Sequence, residues 1–352
     1  MIKQASLNLL RVSGAFDLMR LAYRRHALIL TYHRFGARGG GANGRSPGWP
    51  SWPSCVDKTP ANVFAEQLEY LTRRYNVVPL SRLAESMGRR EQAPARLAAI
   101  TIDDGYRDAY EIAYPLLRRF GAPATLFVPA DFIDRRAWMW TDKARFLTRR
   151  AVSQRLAIKI GGQELRFDLD APSSRRDAAE RVNTTLKRIP EEVKEEAIER
   201  LARACGVALP QTPPDEFGPI AWAEAREMQA HGIEIGSHTL THPILTRVGD
   251  ERLRSELQES RSRLEEVLRR RIEQFCYPDG DYDERVSREV ARAGYRIAVT
   301  CVNGLNKRGD DLLTLRRIHT ERDLARFAQS TSGFEELKRK ARQLGTISGH
   351  IS

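Results

Sequence analysis

The chain is poor in the features that mark a membrane span, a disulfide scaffold or a nucleic-acid binder. It contains no apolar run of about eighteen residues, so no spanning helix is expected. Cysteine is scarce: Cys55, Cys205, Cys276 and Cys301 lie scattered, without Cys-x-x-Cys spacing. That argues against a zinc knuckle or a disulfide framework and predicts reduced, mostly buried thiols. No dense Lys/Arg block is interleaved with aromatic residues, so nucleic acid is not an expected partner. The N-terminal stretch has no secretory pattern, because Arg11, Asp17, Arg20, Arg24 and Arg25 interrupt it and no small-residue cleavage site follows. The expected location is therefore cytoplasmic, or peripheral on the inner membrane surface.

What the chain has in excess is positive charge. Lys and Arg number 58 against 46 Asp and Glu, a formal net charge of +12 over 352 residues. One reading is a solvated, arginine-rich surface; the other is attraction to an anionic glycan, lipid headgroup or membrane surface. The length suffices for one large domain, or one domain with an insertion.

Two stretches carry chemistry. In Ala98-Ala99-Ile100-Thr101-Ile102-Asp103-Asp104-Gly105-Tyr106, an apolar run meets two adjacent carboxylates and a glycine. This is the pattern of a buried parallel strand that delivers an acidic pair to its end. Side-by-side carboxylates repel unless a cation or a shared proton relieves them. Far downstream, Ile233-Glu234-Ile235-Gly236-Ser237-His238-Thr239-Leu240-Thr241-His242 is another short strand ending in two histidines four apart. If the two strand ends meet, two imidazoles and one carboxylate make a three-ligand set that suits a catalytic zinc with an open position. Other divalent first-row metals, cobalt or nickel among them, fit the same set.

Thr101-Ile102-Asp103-Asp104-Gly105-Tyr106 resembles the first motif of the polysaccharide deacetylases, carbohydrate esterase family 4. Ser237-His238-Thr239-Leu240-Thr241-His242 resembles the second. The similarity covers roughly residues 27–135 and 220–320. It implies an α/β fold: a distorted (β/α) barrel of the polysaccharide deacetylase type with the metal at its C-terminal face. By the same resemblance Asp103 is the general base, and Asp104, His238 and His242 bind the metal. Phe275-Cys276-Tyr277-Pro278-Asp279-Gly280 aligns with the third motif but departs from it. Cys276 stands where many members carry an arginine that orients the catalytic Asp, and Asp279 stands where an aromatic residue is usual. The oxyanion role then falls to the Asp279 N–H, with Tyr277 beside it, and Arg317 is the candidate to replace the missing arginine. The last motif supplies a histidine as general acid, for which His319 is the candidate by order along the chain. Tyr32-His33-Arg34 resembles the opening strand of the exopolysaccharide-type subgroup, including the poly-N-acetylglucosamine deacetylases. His33 is accordingly either substrate-facing or structural, with a general-acid role open to it if His319 fails.

The resemblance implies metal-dependent hydrolysis of N-acetyl groups on a glycan, with release of acetate. Alternatives of the same chemistry are an O-acetyl esterase and a deacetylase of a lipid-linked sugar; an alternative of another class is a non-catalytic glycan-binding barrel.

The remaining chain divides around this site. Residues 1–26 read as an amphipathic helix, lying either on the barrel or on an anionic membrane surface. The deacetylase barrel spans 27–325, followed by a C-terminal helix and polar tail over 326–352. Trp49 and Trp52 lie in a Gly/Pro-rich loop, as a platform for a sugar ring or as pins for the loop. Asn62 is a candidate cap for the helix that follows. Residues 140–218 break the strand–helix alternation with a hairpin near Gly161-Gly162 and charged helices broken at Pro190, and are read as an insertion. Trp138 and Trp140 are candidates for an aromatic wall of the cleft.

Overall fold

The computed structural model describes residues 7, 10, 13–37, 58–88 and 94–339. Trp49, Trp52 and Cys55 lie outside them. So do most of the first twelve residues and the tail beyond 339.

Seven strands form a closed parallel ring: β1 (Leu28–Tyr32), β2 (Leu97–Ile102), β3 (Thr125–Val128), β4 (Glu234–Ser237), β5 (Gln274–Cys276), β6 (Ile297–Asn303) and β7 (Leu315–His319). Going round, the order is β1-β7-β6-β5-β4-β3-β2, and β2 closes back on β1 in the register Leu28↔Ala98 through Tyr32↔Ile102. The short strand Asn76–Val77 extends the sheet beside the start of β2. β1 and β2 form buried strands because they are near-continuous apolar runs with both faces covered, and both are buried at every position.

Around the ring lie helices α1 (Ala15–Ala22), α2 (Ala61–Arg74), α3 (Leu80–Gly88) and α4 (Tyr114–Phe120), then, after the insertion, α8 (Trp222–Ala230), α9 (Asp250–Leu268), α10 (Glu284–Arg292) and α11 (Leu324–Thr331). One local expectation is corrected. Helix α2 begins after Pro60, whose extended conformation (ψ 142°) sets the turn, so Asn62 lies inside the helix and does not cap it. Residues Ala109–Ala113 form a π-helical turn before α4.

The segment between β3 and β4 builds a second, smaller core. Helices α5 (Trp140–Arg150), α6 (Pro172–Leu186) and α7 (Lys194–Cys205) pack with an antiparallel hairpin, Arg155–Ile160 against Gln163–Asp168. Gly161 and Gly162 take the hairpin turn at φ 55° and 83°. Leu147, Leu165, Val182, Leu186, Ile198 and Leu201 fill this core, and Trp138 and Trp140 belong to it. Both tryptophans are nearly fully buried, with the Lys194 ammonium 4.0 Å from the Trp140 ring centre. They are therefore packing residues of the insertion and not an open aromatic wall.

Candidate functional site

The C-terminal ends of β2 and β4, separated by β3, open on the same end of the barrel. Just past β2, Asp103 donates its N–H to the Tyr32 carbonyl (2.8 Å), which holds the acidic pair against the end of β1. Asp104 (φ 76°) and Gly105 (φ 69°) then turn through the left-handed region. Gly105 is required on two counts: that conformation disfavours side chains, and a Cβ there would lie 2.7 Å from Val128 Cγ1. Past β4, Thr239 (φ 70°) and His242 (φ 63°) are also left-handed. A β-branched residue with positive φ is a strained one. Side-chain bonds hold the loop: Thr239 Oγ1 accepts from the His242 N–H at 2.9 Å. The Glu256 carboxylate on α9 accepts from the N–H groups of Leu240 and Thr241, each at 2.9 Å.

This strain sets three ligand atoms around one point. His238 Nε2 is 3.5 Å and His242 Nε2 3.6 Å from Asp104 Oδ1, and the two Nε2 atoms are 3.2 Å apart. A tetrahedral ion with ligand distances of about 2.1 Å needs ligand edges of about 3.4 Å, so the spacing matches zinc. The tautomer matches as well. His238 Nδ1 donates to the Cys276 carbonyl at 2.7 Å, leaving Nε2 with its lone pair. Burial, reinforced by His238, pushes the His242 imidazole down to about 3, so its ring is neutral at pH 7. Asp104 is held below the usual carboxylate range: burial opposes its charge, but the contact with His238 and the nearness of the His33 and His242 rings outweigh it. A buried carboxylate with two imidazole Nε2 atoms turned to it is a donor set suited to a divalent cation.

Asp103 is outside that triangle of atoms and is held differently. It is buried, and Arg317 Nη1 donates to its Oδ1 at 2.8 Å. Arg317 is itself fully buried on β7, and also donates to the Thr300 carbonyl (2.8 Å) and Thr101 Oγ1 (3.0 Å). Its remaining nitrogen, Nη2, lies 3.3 Å from Cys276 Sγ. Burial alone would raise the Asp103 pKa, but Arg317, then His33 and His238, hold it at about 2. Arg317 thus fills, from β7, the space beside Cys276 on β5. It orients Asp103 and has no surface for a substrate.

His33, following β1, brings Nε2 within 3.6 Å of Asp103 Oδ2 while its side chain stays 39% exposed. His319 lies at the end of β7, its side chain partly open to solvent, with Nε2 3.3 Å from the Cys301 carbonyl. Burial of its ring against β6 pushes its pKa down. Asp279 lies in the turn Pro278–Gly280 in a left-handed conformation (φ 56°), with its carboxylate paired to Lys187 at the end of α6. The N–H groups of Gly280 and Asp281 bond to the Tyr277 and Pro278 carbonyls, and Pro278 has none. The expectation for the Tyr277 side chain is corrected: the ring is fully buried against Phe275 and Tyr282, and its hydroxyl donates to the Leu313 carbonyl at 2.9 Å. A stacked, capped ring in the core has no edge left for a substrate.

Sequence reasoning missed the residues that hold the loops. Glu256 reads as one acid among many on a charged helix, yet it is buried. Glu191 of the insertion accepts from the Ile244 N–H at 2.9 Å, two residues past His242. Thr31 Oγ1 lies 3.4 Å from Asp103 Oδ2. None of these carries a signal in residue type or spacing.

Comparison with known proteins agrees with this geometry. The Streptococcus pyogenes deacetylase PplD, in a structure with acetate, shares the fold at a TM-score of 0.55 and 18% identity, over 87% of this chain and 98% of that one. IcaB from Ammonifex degensii does so at 0.53 and 18%, over 87% and 97%. In sequence, YxkH of Bacillus subtilis (strain 168), by name a provisional polysaccharide deacetylase, is 28% identical over 95 residues. That match covers 27% of this chain and 34% of YxkH, so the chain spans about a third of the length of this curated relative. The family model for polysaccharide deacetylase matches residues 90–298, which include the acidic pair, both histidines and the Cys276–Gly280 turn, and the chain belongs to the polysaccharide deacetylase family.

Proposed function

We propose that this protein hydrolyses N-acetyl groups on an N-acetylated glycan of the exopolysaccharide type, releasing acetate and a free amino sugar, with a divalent metal held by Asp104, His238 and His242. The observation that carries the reading is the pairing of two arrangements: three donor atoms at tetrahedral spacing, and beside them an ionised, arginine-anchored Asp103 that is not one of the three.

When bound there, a divalent cation supplies Lewis-acid polarisation of the acetyl carbonyl and lowers the pKa of a water in its shell. Asp103 takes a proton from the attacking water. Held at about 2, chiefly by Arg317 against burial, the Asp103 carboxylate is ionised and able to accept a proton at neutral pH. Arg317 keeps Asp103 charged and fixed in orientation for that transfer. The oxyanion that forms as water oxygen bonds to the acetyl carbon is assigned to the Asp279 N–H, on the turn after β5. The carbon–nitrogen bond then breaks, and the leaving amine needs a proton. His33 is the better source, because it neighbours Asp103 and keeps an open edge. The His319 Nε2 is tied to the Cys301 carbonyl, and its lowered pKa makes the imidazolium scarcer. The exopolysaccharide class is favoured by the Tyr32-His33-Arg34 strand, which puts a histidine at the site from the first strand. Acetate release from N-acetylglucosamine oligomers by Asp103→Asn tests the reading: activity at the native rate would remove Asp103 as the base.

A further inference from the structure

At the end of the barrel opposite the site, α1 leads into the start of β1 through Tyr23–His26. One face of α1 is used: Phe16 meets Phe334 and Arg20 bonds Tyr70, both side chains buried. Among the described residues the other face is left open. Leu18 is 66% and Leu21 46% exposed, three residues apart and so side by side on the helix. Among the described residues the exposed large apolar side chains number six, and these two adjoin. Arg24 and Arg25 follow directly, both exposed, and Arg96, also exposed, is joined to Arg24 by a backbone bond of 2.6 Å. The acid on α1, Asp17, is spent on Arg20.

Two leucines beside three arginines, on a chain of net charge +12, match a surface that is anionic outside and apolar just beneath. We propose that this end of the barrel docks on a bilayer carrying acidic lipids, with Leu18 and Leu21 entering the headgroup boundary and Arg24, Arg25 and Arg96 meeting the phosphates. A second copy of the chain or an acidic protein explains one half of the patch each; a lipid surface explains both. The orientation has a consequence that rests on the deacetylase reading. Asp103, Asp104 and His238 lie at the C-terminal strand ends, so the site opens away from the bilayer. The substrate is then a glycan strand reaching out into solvent rather than a lipid-linked sugar at the membrane surface.

The test is co-sedimentation of the full chain with phosphatidylcholine vesicles, with and without phosphatidylglycerol. Binding is expected only with phosphatidylglycerol, weakening with salt, and falling at least about tenfold both in L18E/L21E and in R24E/R25E. Should L18E/L21E melt below the native chain, L18Q/L21Q, which adds no charge, gives the same reading. A chain left in the supernatant with acidic vesicles overturns the proposal. So does binding that the leucine pair does not alter, or a concentration-dependent dimer that L18E/L21E dissolves without vesicle binding. Acetate release from soluble oligomers should be unchanged in these variants. Its absence in the native chain would instead sink the reading of the site and leave the docking result standing.

Discussion

Arg317 Nη1 donates to Asp103 Oδ1 at 2.8 Å, joining the last barrel strand to the acidic pair after the second, with both side chains removed from water. Breaking such a pair by removing one partner leaves a buried charge uncompensated, at a cost of about 3–5 kcal/mol. Arg317→Met should destabilise the protein by that order in chemical denaturation. The double variant Arg317→Met with Asp103→Asn should recover part of the loss, because no lone charge remains. A double variant no more stable than the single one would mean the pair is not coupled.

The same substitution should act on the pH profile of any activity that Arg317→Met retains. Arg317 is the main group lowering the Asp103 pKa against burial, so its removal raises that pKa. The acid limb of kcat/KM should move to higher pH in the variant. A purely structural arginine would lower activity without moving the limb.

His33 and His319 should separate cleanly. Loss of a general acid costs roughly 100- to 10,000-fold. That loss is expected in kcat for His33→Gln. His319→Gln should cost less than about tenfold. The reverse order of effects would return the acid role to His319.

His242 gives the metal-free protein a pH dependence of stability. Its folded pKa of about 3 lies below the unfolded value of about 6.5. Between those values the unfolded chain binds the extra proton, so stability falls as pH drops through that window. His242→Gln should flatten this part of the curve, and zinc at pH 7 should raise the melting temperature of the native chain but not of the variant.

Gly105→Ala should lose stability, by roughly 1–3 kcal/mol from the left-handed backbone alone. It should lose zinc affinity as well, because relieving the contact with Val128 moves Asp104. Unchanged zinc binding would show that the turn does not set the ligand.

The strand ends were legible in the sequence because chemistry and pattern coincide there: an apolar run into Asp103-Asp104-Gly105, and another into His238 with His242. The substitution of Arg317 for the arginine absent at Cys276 was open only to a guess from its place on the last strand, where Arg316 stands beside it. What could not be read was the support of the loops. Glu256, Glu191 and Thr31 act through contacts made by folding, between segments whose spacing carries no period. Tyr277 shows the same limit from the other side. Its neighbours in sequence belong to the site, yet its ring packs against Phe275 and Tyr282 in the core.

The central claim is that Asp104, His238 and His242 hold an ion that hydrolysis requires. Its most direct test is the rate of acetate release from N-acetylglucosamine oligomers by one preparation, as purified, after chelation, and after zinc is returned. The account predicts loss of the rate on chelation and its recovery with zinc; an unchanged rate in chelated protein shown to be metal-free would contradict it.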